Sequence, residues 1–300
     1  MTEPPSWLWV VFTIVAALAQ TARNAMQREL TGTLGTVGAT HVRFLFGFPF
    51  ALIALVVILL ASGQAMPQPA PAFWGWVVTG GVAQIFATAL MLAAMGERSF
   101  VVTIAYTKTE PIHVALFGLV FLGDVVTLPL AVAILIATAG VMVMSWKPGS
   151  ASFTELRPAL LGITSGAMFG LSAIGFRGAI LATGETPFFV ASSFTLGVGL
   201  VIQAALLSAY LGLRDRAVLI AILRAWRPSV FAGFMGAFAS SFWFASFALA
   251  TAASVRTLAL IEVLFAQAVS VLIFRQAVSI REMAGIVLVI AGVALLLSSY

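Results

Sequence analysis

The chain is a succession of long apolar runs, separated by short breaks that are rich in polar, glycine or proline residues. A run of about 19 apolar residues is long enough for one helix to cross a hydrocarbon core of about 30 Å. Membrane β-strands alternate apolar and polar residues over about ten positions, and these continuous runs do not. The runs therefore predict an all-α membrane protein with ten transmembrane helices, near residues 7–26, 36–62, 73–95, 99–122, 126–146, 158–181, 187–210, 229–250, 254–275 and 279–299.

Composition supports this interpretation and argues against other classes of protein. Of the 300 residues, 62% are hydrophobic and 8% are charged, whereas soluble domains carry about 25% charged residues. The sequence contains no cysteine, so it offers neither a disulfide nor a thiolate metal site. The net charge of +5 comes from basic residues scattered singly among apolar runs, which argues against a nucleic-acid partner.

The ends and breaks of the sequence predict no soluble domain. The start, Met1 to Pro5, lacks the basic region and cleavage site of a signal peptide, so we expect the first apolar run to stay in the mature protein. The longest connection, around Leu211 to Arg227, is basic, and we expect it to lie along the membrane surface.

The two halves of the sequence resemble each other. A shift of 152 residues aligns Trp74 with Trp226, Gly81 with Gly233, Thr88 with Ser240, Glu110 with Glu262, Thr127 with Ser279 and Gly140 with Gly292. Because five spans is an odd number, the second half would insert with inverted orientation, as in many secondary transporters that bind substrate between their repeats. We predict two five-helix inverted repeats, in residues 1–150 and 151–300, around a central cavity; a duplication kept for stability alone is the alternative.

Several short motifs resemble the drug/metabolite transporter superfamily, in its EamA-type branch with ten spans. They are Gly96-Glu97-Arg98-Ser99, Lys108-Thr109-Glu110-Pro111, Leu122-Gly123-Asp124 with the following span around Gly140, and the stretch from Glu262 to Gly292. The resemblance implies alternating-access export of metabolites, amino acids first, across the bacterial inner membrane. Carriers of drugs, sugar phosphates or nucleotide sugars share the fold and are the alternative. Val263 departs from the pattern because it stands where a second proline is expected, so a helix break there is not assured.

Charged residues inside a span are candidates for function, because each costs about 2.5–3.5 kcal/mol at the bilayer centre. Lys108, Glu110 and His113 fall near the middle of the fourth span, and Glu262 is the counterpart of Glu110 in the second half. They predict a polar cavity wall that contacts a zwitterionic substrate or carries a coupling proton. Internal ion pairs that fix helix register, or carboxylates that cap helix ends and hold Arg256 and Arg177, are the alternatives.

Other polar and aromatic residues complete the candidate site. Gln84, Tyr106, Phe242 and Trp243 are candidates for the cavity wall, although packing or lipid contact is the favoured role of the aromatic row Phe234, Phe238 and Phe242. Arg23, Arg177 and His41 are candidate gating residues. For His41 and its neighbour Arg43, gating and a location near the headgroups both stay open. Snorkelling to the headgroups is the favoured role of Arg23 and Arg177.

Smaller features predict packing and anchoring. The glycines of the sixth span, Gly162, Gly166 and Gly170, are spaced for close helix packing. Gln20, Gln84 and Gln267 are expected to face the interior, because an unpaired amide is costly in lipid. The tryptophans near span ends predict interfacial anchors at Trp7, Trp9, Trp74, Trp76, Trp146 and Trp226.

Motifs of several other functions do not occur in the sequence. There is no phosphate-binding loop motif and no His-Glu-x-x-His pair, and aspartate occurs only at 124 and 215. We therefore predict no enzyme activity, no metal and no cofactor; a channel or a non-transporting structural subunit stays as an alternative. The predicted partners are a small-molecule substrate and the lipid bilayer, with protons as an open candidate for coupling.

Two arguments about orientation conflict. The connections after odd-numbered spans contain the basic residues Arg28, Arg98, Lys147, Arg157, Arg214, Arg216, Arg224, Arg227, Arg275 and Arg281, and the opposite side has none. Basic loops face the cytoplasm, which would place both termini outside it. The family resemblance implies cytoplasmic termini. An even number of spans places both termini on one side under either argument.

Overall fold

The computed structural model describes residues 4–97, 106–145, 156–272 and 279–299. Within these ranges the secondary structure consists of helices and turns. The first half contains α1 (Leu8–Leu45), α2 (Phe48–Ser62), α3 (Ala72–Glu97), α4 (Glu110–Phe117, continued by a π-helical turn at Gly118–Leu122) and α5 (Leu128–Ser145). The second half contains α6 (Leu156–Leu181), α7 (Phe188–Arg214), α8 (Arg216–Arg224), α9 (Trp226–Leu249), α10 (Ala252–Leu258, followed by a 3-10 turn at Ala259–Ile261), α11 (Glu262–Leu272) and α12 (Ile280–Ser298).

The helices have the length and composition of membrane spans. In the described ranges, seven helical segments are long and apolar enough to cross a membrane, and two shorter apolar segments accompany them at Leu8–Asn24 and Glu110–Leu122. This confirms an all-helical protein with several candidate membrane spans. The number ten and the repeat layout stay predictions, since parts of the fourth, fifth and ninth predicted spans lie outside the described residues.

The predicted end of the first span, at residue 26, was wrong. We predicted two spans, at 7–26 and 36–62, but α1 runs without interruption from Leu8 to Gly35, where it kinks. Gly35 has φ 67° and ψ 175°, a conformation that is open to glycine and nearly closed to other residues. The chain therefore bends at Gly35 and continues as helix, because residues 26–34 contain no proline to end it.

Two of the predicted spans contain breaks in their middle. In the predicted fourth span the chain makes a turn at residues 108–109 before α4 begins at Glu110. Pro111 lies at the start of α4, where its missing N–H costs no helical hydrogen bond. In the predicted ninth span the 3-10 turn at Ala259–Ile261 separates α10 from α11, although no proline is present.

Helices of the two halves pack tightly against each other. The closest pairs are α3 with α6, α1 with α9 and α5 with α12, and each pair joins residues 1–150 to residues 151–300. A methyl group on Gly175 would lie 2.6 Å from the Cα atom of Gly80, and one on Gly140 would lie 2.8 Å from the carbonyl oxygen of Gly285. Glycine at these crossings allows backbones to approach as closely as they do.

The predicted packing role in the sixth span is confirmed for Gly166 and Gly170, whose contacts are described. A methyl group on Gly166 would lie 2.7 Å from the carbonyl oxygen of Thr107, and one on Gly170 would lie 3.2 Å from Cβ of His113. Both glycines of α6 therefore lie against the turn before α4 and against α4 itself.

The tryptophans differ in exposure. Trp7, Trp74 and Trp226 are more than half exposed, as expected for residues at span ends. The prediction for Trp9 was wrong: its side chain is buried, and its carbonyl oxygen accepts hydrogen bonds from Thr13 and Ser246. Trp76 packs on Gly178 of α6 instead of standing free. Trp146 lies outside the described residues.

The basic connection forms a short helix. Asp215 ends α7 and caps α8, since its Oδ1 accepts a hydrogen bond from the backbone N–H of Val218. The side chains of Arg214, Arg216 and Arg224 are exposed, while Ile222 is buried. The segment thus has a charged outer face and an apolar inner face.

Candidate functional site

Two buried ion pairs lie where the two halves meet. Lys108 Nζ lies 2.5 Å from Glu262 Oε2, and Arg256 Nε lies 2.9 Å from Glu110 Oε1. All four side chains are at most 7% exposed. Each half thus supplies one cation and one carboxylate, and each pair crosses between the halves.

The breaks in the helices place these four residues. Glu110 and Glu262 are the first residues of α4 and α11, where the helix dipole favours a negative charge. Lys108 lies in the turn that precedes α4, and Arg256 lies in the last turn of α10, where the dipole favours a positive charge. Both ion pairs therefore join segments that end or begin inside a predicted span.

Two further arginines are buried beside these pairs. Arg23 is 1% exposed and Arg43 is 2% exposed. Both pack on Gly236 of α9, since a methyl group there would lie 3.1 Å from Arg43 Cγ and 3.6 Å from Arg23 Cδ. The prediction that Arg23 snorkels was wrong, because α1 continues past it and places it in the middle of a helix.

The guanidinium groups of these arginines are only partly bonded. Arg23 Nη2 donates to Asn24 Oδ1 at 2.8 Å, while its Nε and Nη1 have no hydrogen-bond partner in the described part of the chain. Arg43 donates weakly to the hydroxyl groups of Thr88 and Ser240, each at 3.4 Å, and its Nε has no partner among the described residues.

Aromatic and amide side chains surround the charges. The guanidinium of Arg256 lies 4.3 Å from the ring centroid of Trp243, which favours the cation through the π face of the ring. Trp243 Nε1 donates to Gln20 Oε1 at 3.0 Å. The Oε1 of Gln84 accepts from Gln203 Nε2 at 2.9 Å.

Two small cavities lie in this polar centre. One of about 20 Å³ is lined by Gln20, Arg23, Asn24, Lys108, Glu110 and Arg256, among others. A second of about 10 Å³ is lined by Gln20, Arg43, Gln84, Ser240, Trp243 and Arg256, among others. Each volume admits about one water molecule. Neither of these two cavities, as the described residues line them, is large enough for a metabolite, so binding one there requires the halves to separate.

The structure brings most of the predicted cavity residues together. Lys108 and Glu110 line one cavity together with the gating candidate Arg23, Gln84 and Trp243 line the other, and Glu262 pairs with Lys108. These positions match the expectation of a polar wall built by both halves, and equally the expectation of internal ion pairs.

The remaining predicted residues lie elsewhere. His113 is half-buried, with Nδ1 3.1 Å from the carbonyl oxygen of its own Thr109. His41 is buried, with Nε2 3.0 Å from Ser208 Oγ. Tyr106 is half-buried before the turn that precedes α4. Phe242 is half-buried in an aromatic row, 5.0 Å from Phe238 between ring centroids.

Arg177 is held inside the protein. Its Nη1 donates to the carbonyl oxygens of Phe247 at 2.6 Å and Ala250 at 2.5 Å, and its Nε lies 3.7 Å from Asp124 Oδ2. The favoured prediction of snorkelling was wrong here also, because these carbonyl groups at the end of α9 hold the guanidinium.

Sequence reasoning missed Arg256 as a site residue and placed it near a surface. Its signal was an arginine within the apolar segment Ala252–Leu258, which is the same signal that singled out Lys108. Arg43 was named only beside His41, and Asn24 was not named.

A much larger groove lies apart from the charges. It measures about 810 Å³ between the end of the first part of α1 and α8, and its lining includes Met26, Leu30, Leu34, Ile220 and Arg224. It shares no lining residue with the two central cavities. Size alone therefore does not mark the candidate site.

Comparison with known proteins identifies the second half of the chain. Residues 156–298 match the model of the EamA-like transporter family. These residues are an EamA-like transporter domain. The resemblance seen in the sequence is thereby confirmed for this part of the chain, which is less than half of the protein. The EamA-like domain contains α6 to α12, and so supplies Arg256 and Glu262 to the candidate site.

The fold has a counterpart among solved structures. A structure titled "Crystal structure of protein" superposes on 97% of this chain and 94% of its own, with a TM-score of 0.67 and 15% sequence identity. This likeness shows that the whole chain shares its fold with a solved structure. No curated protein matches the sequence.

Proposed function

We propose that the protein is a secondary transporter that exports small polar metabolites, amino acids first, across the bacterial inner membrane by alternating access. Its working parts would be two five-helix inverted repeats, residues 1–150 and 151–300. The observation that carries the proposal is the pair of reciprocal buried contacts, Lys108 with Glu262 and Arg256 with Glu110, which lie at breaks inside predicted spans. Broken helices near the midplane are a frequent site of substrate binding in such carriers.

The packing of the helices supports two equivalent halves that exchange their roles during transport. Under the shift of 152 residues, α1 corresponds to α6 and α3 to α9, so the contact of α3 with α6 corresponds to the contact of α1 with α9. The contact of α5 with α12 corresponds to itself. Arg43 donates to both Thr88 and Ser240, which are equivalent under the same shift. These relations are expected if a pseudo-two-fold axis passes near Arg43.

The charges suggest how a substrate would be held. In the closed state each central carboxylate binds a cation of the other half. When the halves separate, the carboxylate of an amino acid would replace a glutamate beside Lys108 or Arg256, and its ammonium group would pair with Glu110 or Glu262. The substrate would thus compensate the charges that opening uncovers, which lowers the cost of opening.

Coupling to protons would act at the same residues. A proton on Glu110 or Glu262 would remove the charge that holds its cation partner, and so favour separation of the halves. Facilitated diffusion needs no such step. Counterflow with and without an imposed pH gradient distinguishes the two mechanisms.

Flux measurements test the proposal. The purified protein is reconstituted into liposomes, and counterflow of radiolabelled amino acids is measured for the unaltered chain, Glu110→Gln, Lys108→Ala and the control Glu185→Gln, whose side chain is exposed. We expect saturable flux that the first two variants lower about tenfold or more, since each removes a charged hydrogen-bonding group, and that the control preserves. Absence of flux for every amino acid would overturn the amino-acid assignment, and absence for sugar phosphates and drugs as well would favour a structural subunit.

A further inference from the structure

The polar centre has more positive than negative charges. Its described cations are Arg23, Arg43, Lys108 and Arg256, and its described carboxylates are Glu110 and Glu262. The carboxylates are occupied by Lys108 and Arg256. No described carboxylate lies within ion-pairing distance of Arg23 or Arg43, although the charge of Glu262 is close enough to favour that of Arg23. The four cations outnumber the two carboxylates, so the described part of the centre has a surplus of two positive charges.

These two charges cannot be removed by loss of a proton. The guanidinium group stays protonated in proteins, unlike the ammonium of a buried lysine. An unpaired charge in an apolar interior is costly, and a carrier that keeps two such charges together needs something negative to bind them. The N–H groups that lack a partner, on Arg23 Nε and Nη1 and on Arg43 Nε, are the groups available to that partner.

The surroundings of the two arginines suit an anion. Their described hydrogen-bond partners are neutral: an amide oxygen of Asn24 for Arg23, and two hydroxyl groups for Arg43. Arg23 and Arg43 line the two small cavities, which share Gln20, Phe169 and Arg256 in their walls. The charges of Arg23 and Arg256 repel that of Arg43. An anion between them would relieve this repulsion and complete the hydrogen bonding.

We propose that the transported substrate is a small organic anion carrying two negative charges, as carboxylate or phosphate, and that Arg23 and Arg43 bind it. This inference rests on the proposed transport function and narrows its substrate class. A neutral amino acid brings no net charge, so its binding leaves both surplus charges in place. A dianion brings the charge of the centre to zero, and the planar guanidinium fork matches carboxylate and phosphate oxygens.

Pairs made of a negatively charged compound and a neutral analogue provide the test. The pairs are succinate and succinamide, glutamate and glutamine, and glycerol 3-phosphate and glycerol. For each compound, stabilisation of the purified protein against heat and counterflow in liposomes are measured. We expect stabilisation and flux by the charged members, with succinate and glycerol 3-phosphate above glutamate, and neither effect from the neutral members.

Variants test which residues bind the anion. Arg23→Gln and Arg43→Gln should each weaken anion stabilisation and raise KM by about 10- to 100-fold, the effect of losing one charged hydrogen-bonding partner. Arg43→Lys keeps the charge and should lose less, whereas Arg214→Gln, an exposed site at the end of α7, should behave as the unaltered protein. The comparison within each compound pair uses the unaltered protein, so it stands if a variant fails to fold.

The outcomes separate the two proposals. Flux of neutral members equal to that of charged members would overturn the anion inference and leave the transporter intact. Stabilisation by anions through Arg23 and Arg43 without any flux would support the anion site and count against transport. Saturation by chloride alone, without preference for organic anions, or stabilisation by no anion at all, would overturn the inference.

Discussion

The pair between Lys108 and Glu262 offers the sharpest test of how charges hold the two halves together. The two charged atoms are 2.5 Å apart and the side chains are 7% and 5% exposed. Glu262→Gln keeps the shape of the side chain but leaves the Lys108 ammonium buried without its counter-ion. Breaking a buried pair in this way costs about 3–5 kcal/mol, whereas a hydrogen bond between membrane helices averages about 0.6 kcal/mol. The uncompensated charge therefore dominates the expected loss.

A double-mutant cycle isolates this effect. Lys108→Met combined with Glu262→Gln removes both charges, so the double variant should be more stable than Glu262→Gln alone. The free energy of unfolding of the four proteins is measured by SDS titration in mixed micelles. We expect a coupling energy of about 2 kcal/mol or more, within the range seen for residues in contact. A coupling energy below about 0.5 kcal/mol, with the two losses simply adding, would refute the argument.

Three other changes probe packing, backbone and aromatic contacts. Gly80→Ala should lower the free energy of unfolding in the same SDS titration, because the added methyl group would lie 2.9 Å from a backbone nitrogen of α6. The control Gly75→Ala, on the same helix, places a methyl group with nothing within 4 Å and should leave the free energy of unfolding unchanged. Gly35→Ala should cost about 1–3 kcal/mol, because φ of 67° with ψ of 175° strains any other residue; an unchanged melting temperature would contradict this. Trp243→Phe should retain more counterflow activity than Trp243→Leu, because phenylalanine keeps an aromatic face beside the Arg256 guanidinium; equal activities would exclude a role for that face.

Hydropathy predicted the class of the fold and the most prominent site residues, because charge inside an apolar run is visible without any knowledge of packing. Lys108, Glu110 and Glu262 were singled out in this way, and all three are buried in the structure. Their partners were not predictable. Which cation meets which carboxylate depends on how the halves face each other, and the window-averaged hydropathy that locates spans carries no direction around a helix axis.

The depth of Arg23 shows why a span boundary matters for function. With a helix that ends near residue 26, Arg23 would reach the headgroups. Because α1 continues to Gly35, Arg23 lies 15 residues after Leu8, about 22 Å along the axis at 1.5 Å per residue, and still well short of the kink. The residues after 26 are polar enough to resemble a loop, yet they continue the helix, and Leu30 and Leu34 are buried in a cluster that includes Ile222 of α8 and Ala232 of α9.

The two interrupted spans carry charged residues beside the interruption, but only the first contains a proline there. In the first half Pro111 follows Glu110 and explains where α4 begins. The second half has Val263 at the equivalent place, and yet α10 ends and α11 begins at the equivalent position. Arg256 lies in the last turn of α10 and Glu262 in the first turn of α11, so each helix dipole meets a charge of the favourable sign. Both charges are then bound by the first half, through Glu110 and Lys108. The break in one half is therefore stabilised by residues of the other, and a motion that separates the halves acts directly on the segments that would bind substrate.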